Sequence, residues 1–356
     1  MAADRERRSG GPVTDPALDE AAADGEAAAE AVDGAPAVRR PPSRKRQVVR
    51  GLLALVVLVF IVLAIRSQGH EIADGLSRLS IGTIVLAFVA VVAGQVATAL
   101  SWRAILTGLG SPLPMAVAGR VFLLAQLGKY LPGSLWPVLA QAELGRDHGV
   151  PRARSAVAAV AVLVVGLVVG AVVAVGFLAL SATGALRTYW YILFVPVLGL
   201  VVLSPPVLGR LLTLAFKVTR RAPTDTTIGT GPLFTSAAWS LAQWLFFGAH
   251  AWLLARGLGG DTSGRLFLLA TGAYAVAWVV GFLIVFVPAG AGAREAALVL
   301  VLGPSIGSGN ALALALVSRV LTIAGDLLTV GVAVVSARIY ARRQPAPGNG
   351  AGQHRA

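Results

Sequence analysis

The sequence contains no cysteine and only four histidines. Disulfides, thiol nucleophiles, Cys-ligated zinc and iron–sulfur clusters are therefore excluded, and a His-rich metal site has too few ligands to form. Charge is scarce as well: 13% of 356 residues are charged, against about a quarter in soluble domains. There is no Asp-x-Asp pair, no glycine-rich phosphate loop ending in Lys-Ser/Thr, and no Ser/His/Asp grouping at a workable spacing. Most soluble enzyme classes are thereby set aside. No cofactor is expected.

What the chain has instead is apolar length. Hydrophobic residues make up 56% of it, with a mean hydropathy of +0.77. The excess positive charge, +13 overall, falls entirely after residue 50, because residues 1–50 hold nine acidic and nine basic side chains. Those later cations punctuate apolar runs and do not build a basic face with interleaved aromatics, so they read as cytoplasmic loops and not as a nucleic-acid surface. Arg outnumbers Lys 27 to 3, a composition that suits a GC-rich bacterial genome.

Residues 1–47 read as a disordered cytoplasmic tail of Ala, Asp, Glu, Gly and Pro. Residues 48–337 read as one transmembrane domain, and 338–356 as a short polar cytoplasmic tail. The expected class is all-α, a polytopic helix bundle. Apolar runs occupy 48–65, 81–101, 115–130, 155–180, 189–209, 233–255, 265–287 and 310–336. Crossing a hydrocarbon core of about 30 Å takes about 20 helical residues. Six runs are expected to cross. The other two, 115–130 and 265–287, reach a Pro/Gly break and continue as short segments, 135–145 and 293–302, each only about 15 Å long as a helix.

Charge decides what those broken pieces do. If 115–143 enters and leaves on one face, Arg146, Arg152, Arg154, Arg210, Lys217, Arg220 and Arg221 all fall on the cytoplasmic side, as the positive-inside rule requires. The same treatment of 265–302 from the outer face brings Arg338, Arg342 and Arg343 back inside. The expected topology is six crossings plus two re-entrant hairpins of opposite orientation, with both termini in the cytoplasm, although 265–287 is long enough to span alone. Paired interruptions in two halves of a chain mark transporter binding sites.

The first break is Gln126-Leu127-Gly128-Lys129-Tyr130-Leu131-Pro132-Gly133. Pro132 removes a donor and Gly133 admits positive φ, so the helix stops there. Lys129, one turn earlier, is a cation at membrane depth that requires a partner or a ligand; the bland alternative is a lysine snorkelling to an interface. The second break is Pro288-Ala289-Gly290-Ala291-Gly292, after which Arg294 and Glu295 open a new helix. Glu295 suits the positive end of the helix dipole, whereas Arg294 does not. Arg294 therefore calls for a buried carboxylate or a bound phosphate.

Arg319 and Asp326 lie two turns apart on one face of the last run, too far for a direct pair. Each needs a partner on another helix, and Glu143 and Glu295 are candidates for Arg319. Glu143 and Asp326 are read as coupling or structural charges, with a solvated interfacial carboxylate as the alternative for Glu143. His250 is expected to be packed and hydrogen-bonded. Trp102, Trp136 and Trp190 read as interfacial belt residues. Glu71 and Asp74, in a loop of about 15 residues, give thin support to a glycosyltransferase.

Taken together, Gly128-Lys129-Tyr130-Leu131-Pro132-Gly133 and, further on, Pro288-Ala289-Gly290-Ala291-Gly292-Ala293-Arg294-Glu295-Ala296-Ala297 resemble the paired signature of the lysylphosphatidylglycerol synthetase transmembrane-region, flippase-like family. Ser101-Trp102-Arg103 through Gly110 resembles the segment preceding the first signature. The resemblance covers about residues 50–340. It implies a domain that moves a lipid headgroup between leaflets of a bacterial plasma membrane. The chain ends soon after its last span, so no aminoacyl-transferring domain is expected. The implied cargo is a phospholipid or polyprenyl-phosphate-linked lipid with an anionic headgroup. Lys129, Pro132, Gly133, Gly290, Gly292, Arg294, Glu295 and Arg319 are the expected substrate-binding residues. The alternative is a non-catalytic partner of an envelope-lipid or glycan-synthesis enzyme, or a membrane glycosyltransferase.

Overall fold

The architecture comes from a computed structural model, which describes residue 74 and residues 77–130, 136–181, 194–218, 227–283, 290 and 292–343. The tail at 1–47, the first expected span at 48–65, Glu71, Pro132, Gly133 and Trp190 lie outside the described residues. Every described element is helical. In order they are α1 (Ile81–Gly108), α2 (Met115–Gln126) running into a 3-10 turn (Leu127–Tyr130), α3 (Trp136–Arg146) and α4 (Arg152–Ser181). There follow α5 (Phe194–Val202), α6 (Pro205–Val218), α7 (Thr230–Gly257), α8 (Gly264–Leu283), α9 (Ala293–Ile306) and α10 (Ser308–Arg343).

Four described helices are long and apolar enough to cross a membrane: α1, α4, α8 and α10. The shortest, α8 with 20 residues, still measures about 30 Å at 1.5 Å per residue. Helix α7, with 28 residues, contains the expected run 233–255 and packs along α1. The last helix continues through Arg338 and Arg342 to Arg343. Large apolar side chains are exposed along these helices, among them Leu86, Phe234, Val320 and Val332. On a water-soluble protein so many would form an adhesive surface; against lipid they cost nothing.

One expected crossing is not a single rod. The run 189–209 is interrupted between α5 and α6 at Leu203 and Ser204. The Ser204 hydroxyl donates to the Val201 carbonyl at 2.7 Å and closes α5. Pro205 and Pro206 then lack the N–H groups that a continuing helix would need, yet suit the first turn of a new one. Nine residues of α5 reach only about 13 Å.

Small residues set the packing. Ala87, Ala158, Ala161, Ala270, Ala273 and Ala313 are fully buried. Gly170 lies directly beneath the Trp244 ring, where an added Cβ would come within 2.5 Å of it. The Ser101 and Ser236 hydroxyls bond at 2.8 Å between α1 and α7. Lipid tails are as apolar as leucine, so helices gain little from hiding apolar surface from one another. Close backbone approach and interhelical hydrogen bonds hold them together instead. Trp102 belongs to this interior: it is completely buried, with its ring centroid 5.5 Å from that of Phe122, and is not a belt residue. Trp136 is partly exposed.

The short segments predicted at 135–145 and 293–302 are present as α3 and α9. Each packs on the helix before the break, α3 on α2 and α9 on α8. Both breaks are pinched by glycine. A Cβ on Gly128 would sit 3.0 Å from the backbone of Trp136 and Pro137. Gly290 has φ +65°, and a Cβ there would meet the Cα of Gly281 at 2.6 Å. An alanine at 290 would therefore be strained by both its conformation and its contact.

Candidate functional site

The two pinches bring the cations that follow them to one place. Lys129, at the end of the 3-10 turn, reaches Asp326 of α10 with Nζ 2.6 Å from Oδ2. Asp326 is nearly buried and fully engaged. The Tyr130 hydroxyl donates to Oδ2, and Gln95 of α1 donates from Nε2 to Oδ1 at 2.8 Å. The same amide nitrogen also donates to the Thr322 carbonyl at 3.2 Å. Thr329 donates to Gln95 Oε1 at 3.2 Å, which fixes the orientation of that amide. One buried carboxylate thus ties α1, the first break and α10 together.

A second pair stands two turns away on α10. Arg319 Nη1 lies 2.8 Å from Glu295 Oε1. The other oxygen of Glu295 accepts the Gly292 N–H at 2.5 Å, capping the start of α9. Gly292 has φ +82°, a left-handed conformation that favours glycine. As the seven-residue spacing required, Arg319 and Asp326 each have a carboxylate or cation on a different element. Glu295, not Glu143, is the partner of Arg319.

Arg294 is held differently. Its guanidinium lies over the ring of Tyr274, with Cζ 4.5 Å from the centroid, and Nη2 donates to the Tyr274 hydroxyl. Among the described residues it makes no ion pair with a carboxylate. Tyr274 is buried and packs edge-on against His250, with centroids 4.7 Å apart. His250 bonds to Ser318 at 2.9 Å and to the Phe247 carbonyl, so it is the packed histidine expected, and it backs the ring on which Arg294 rests.

Lys129, Arg294, Arg319, Gly290 and Asp326 line a common cavity of about 290 Å³. Its floor and walls come from helices on both sides of both breaks. The two ion pairs cancel, and among the described lining residues Arg294 contributes the one charge left without a counter-ion. Glu295 and Gly292 are not on the cavity wall; they sit behind Arg319 and position it. Pro132 and Gly133 lie outside the described residues. Glu143 is not part of the site: it is exposed, 3.1 Å from Arg152 and 3.7 Å from Arg146. The Arg152 hydrogen bond holds its carboxyl below the usual carboxylate range. It is the solvated carboxylate of the alternative reading.

Several lining residues were not anticipated. Gln95, Gln141 and Gln243 are buried amides facing the cavity from α1, α3 and α7, and Tyr130, Tyr274 and Trp278 give it an aromatic wall. The signal was available, since glutamine inside an apolar run is as unusual as a charge. Trp278 stacks on Phe282 at 5.6 Å with 6° between planes. Among the described residues no cluster of His, Asp and Glu could hold a metal ion. Asp74 is exposed and is not among the residues lining the cavity.

Residues 47–329 match the family described as the lysylphosphatidylglycerol synthase TM region. No curated protein matches the chain. The match spans both breaks and every cation of the cavity, and it agrees with the apolar helices in making this a multi-pass membrane protein.

Proposed function

The chain belongs to the lysylphosphatidylglycerol synthase TM-region family, and from that membership we propose that it translocates a phosphate-bearing lipid across a bacterial plasma membrane. It acts without covalent chemistry, as a translocase and not an enzyme. In this reading 115–146 and 264–306 are re-entrant hairpins entering from opposite faces, the termini are cytoplasmic, and the cavity between the hairpins receives the headgroup. The observation that carries the reading is the placement of Arg294: a guanidinium on the cavity wall with no carboxylate partner among the described residues. A half-buried cation without a counter-ion is unfavourable, and a phosphate supplies both the charge and, through two of its oxygens, the bidentate geometry it lacks. Lys129 and Arg319, anchored by Asp326 and Glu295, stand ready as secondary contacts. Rocking of the two halves about this fixed site would open it to each leaflet in turn.

The experiment is reconstitution of the purified chain in vesicles carrying NBD-labelled phosphatidylglycerol, followed by dithionite quenching of the outer leaflet. Wild type should bleach nearly all of the label, and Lys129→Ala/Arg294→Ala only the outer half. Equal rates for the two proteins would remove the cavity from the mechanism. Bleaching limited to half with wild type would remove translocation itself, and would favour a protein that supports a separate envelope-synthesis enzyme.

A further inference from the structure

The cavity also carries information about which headgroup it takes. Resting on the reading of this cavity as a lipid-headgroup site, we infer that it selects a phosphodiester bearing a neutral, hydroxyl-rich headgroup, such as glycerol or a sugar, and rejects a headgroup carrying an ammonium group.

The first ground is the fate of the carboxylates. Asp326 is the only acidic side chain on the described cavity wall, and its two oxygens are already taken by Lys129, Tyr130 and Gln95. Glu295 is turned away and saturated by Arg319 and the Gly292 N–H. A guest ammonium would meet one uncompensated positive charge, Arg294, and no free anion. A single negative charge, as on a phosphodiester, balances the cavity; a zwitterionic or cationic headgroup does not.

The second ground is the amides. Gln141 is 3% exposed, lines the cavity, and its Oε1 is buried without a hydrogen-bond partner. Leaving such an acceptor unmet is unfavourable, so the observation points to an absent donor. Gln243 and Gln126 also face the cavity, and among the described residues their side chains make no hydrogen bond. Each primary amide offers a carbonyl oxygen and two N–H donors. A hydroxyl both donates and accepts, so a polyol can satisfy all three, whereas an ammonium satisfies only the carbonyl oxygens and opposes Arg294. A volume of about 290 Å³ lies near the lower limit for small-molecule pockets; it holds a headgroup and leaves the lipid chains outside.

Binding of short-chain lipids to the full-length protein in detergent tests this independently of transport, with Trp278 on the cavity wall as the fluorescent reporter. The probes are dihexanoyl phosphatidylglycerol, dihexanoyl phosphatidylmethanol (the same charge, no hydroxyls), dihexanoyl lysyl-phosphatidylglycerol, and a citronellyl phosphate hexose. Phosphatidylglycerol or the hexose should bind about tenfold more tightly than phosphatidylmethanol, and which of the two is tighter separates a glycerol source from a sugar source. Lysyl-phosphatidylglycerol should bind most weakly. Gln141→Leu should lower the polyol affinity about tenfold and the phosphatidylmethanol affinity less than twofold. Gln141→Glu should do the reverse of the wild-type preference, raising affinity for the lysyl lipid. Tightest binding of the lysyl lipid by wild type, or equal losses for polyol and methanol headgroups in Gln141→Leu, would overturn the inference. Selective binding without vesicle translocation would leave it standing and defeat the transport reading instead.

Discussion

Arg294→Gln should weaken binding of a soluble phosphodiester lipid by roughly 10- to 100-fold while leaving the fold nearly as stable as before. The size follows from the loss of charge-assisted hydrogen bonds to phosphate, each about 1.5–3 kcal/mol, at about 1.4 kcal/mol per decade of affinity. The spared stability follows from how Arg294 is held. It touches Tyr274 through the ring face and the hydroxyl, and it neutralises no protein carboxylate. Among the described residues its removal strands no buried anion, and what is lost is a cation–π contact of about 0.5–2 kcal/mol and the hydrogen bond to the Tyr274 hydroxyl. Arg294→Lys should fall between, since an ammonium keeps the charge but not the planar fork. Titration of dihexanoyl phosphatidylglycerol, alongside a thermal melt of each variant, reads both quantities. A large drop in melting temperature with unchanged affinity would make Arg294 a packing residue.

Asp326→Ala should behave in the opposite way, damaging the fold first. The carboxylate is the shared acceptor for Lys129, Tyr130 and Gln95, so its loss leaves a cation and two polar groups without their partner. Breaking a buried ion pair from one side costs about 3–5 kcal/mol. Because Lys129 remains one-third exposed, part of its charge recovers solvent, and the lower end of that range is expected. Lys129→Met should cost less, because Tyr130 and Gln95 still satisfy the remaining carboxylate. The double variant Lys129→Met/Asp326→Leu should then be more stable than Asp326→Ala alone. Denaturation midpoints in detergent check this, and strictly additive losses would mean that the pair does not couple the first break to α10.

Much of this arrangement was legible in the residues. The described helices stop at Tyr130 and Leu283, beside the Pro/Gly segments that the sequence marks, and Gly290 and Gly292 take the positive φ expected of a break; Pro132, Gly133 and Pro288 lie outside the described residues. The arms beyond them, α3 and α9, start within one residue of where the apolar patterning placed them. The spacing of Arg319 and Asp326 correctly demanded partners on other helices. Which partners they take was not legible, because that depends on the rotation and register of packed helices, and local spacing does not encode either. Lys129 could have faced any of several carboxylates until α10 was docked beside the first break. Of the two candidates for Arg319, Glu295 is its partner, and Glu143 is taken by Arg146, three residues on, and Arg152, as its solvated alternative implies. The place of Trp102 at the end of an apolar run suggests an interface, but α1 continues to Gly108 and carries it inside. The run 189–209 looked continuous by hydropathy, which does not register that Ser204, Pro205 and Pro206 end one helix and start another.

The most direct measurement of the whole account is the sidedness of the two hairpins. The chain has no native cysteine, so single cysteines can replace the exposed Pro112 and His148 around the first hairpin, and Ser263 and Ser308 around the second. With a membrane-impermeant maleimide on intact and inverted vesicles, Pro112→Cys and His148→Cys should both label from the cytoplasmic face, and Ser263→Cys and Ser308→Cys both from the outer face. Labelling of either pair from opposite faces would show that a segment passes straight through, and the cavity between two re-entrant breaks would be lost as the site of lipid passage.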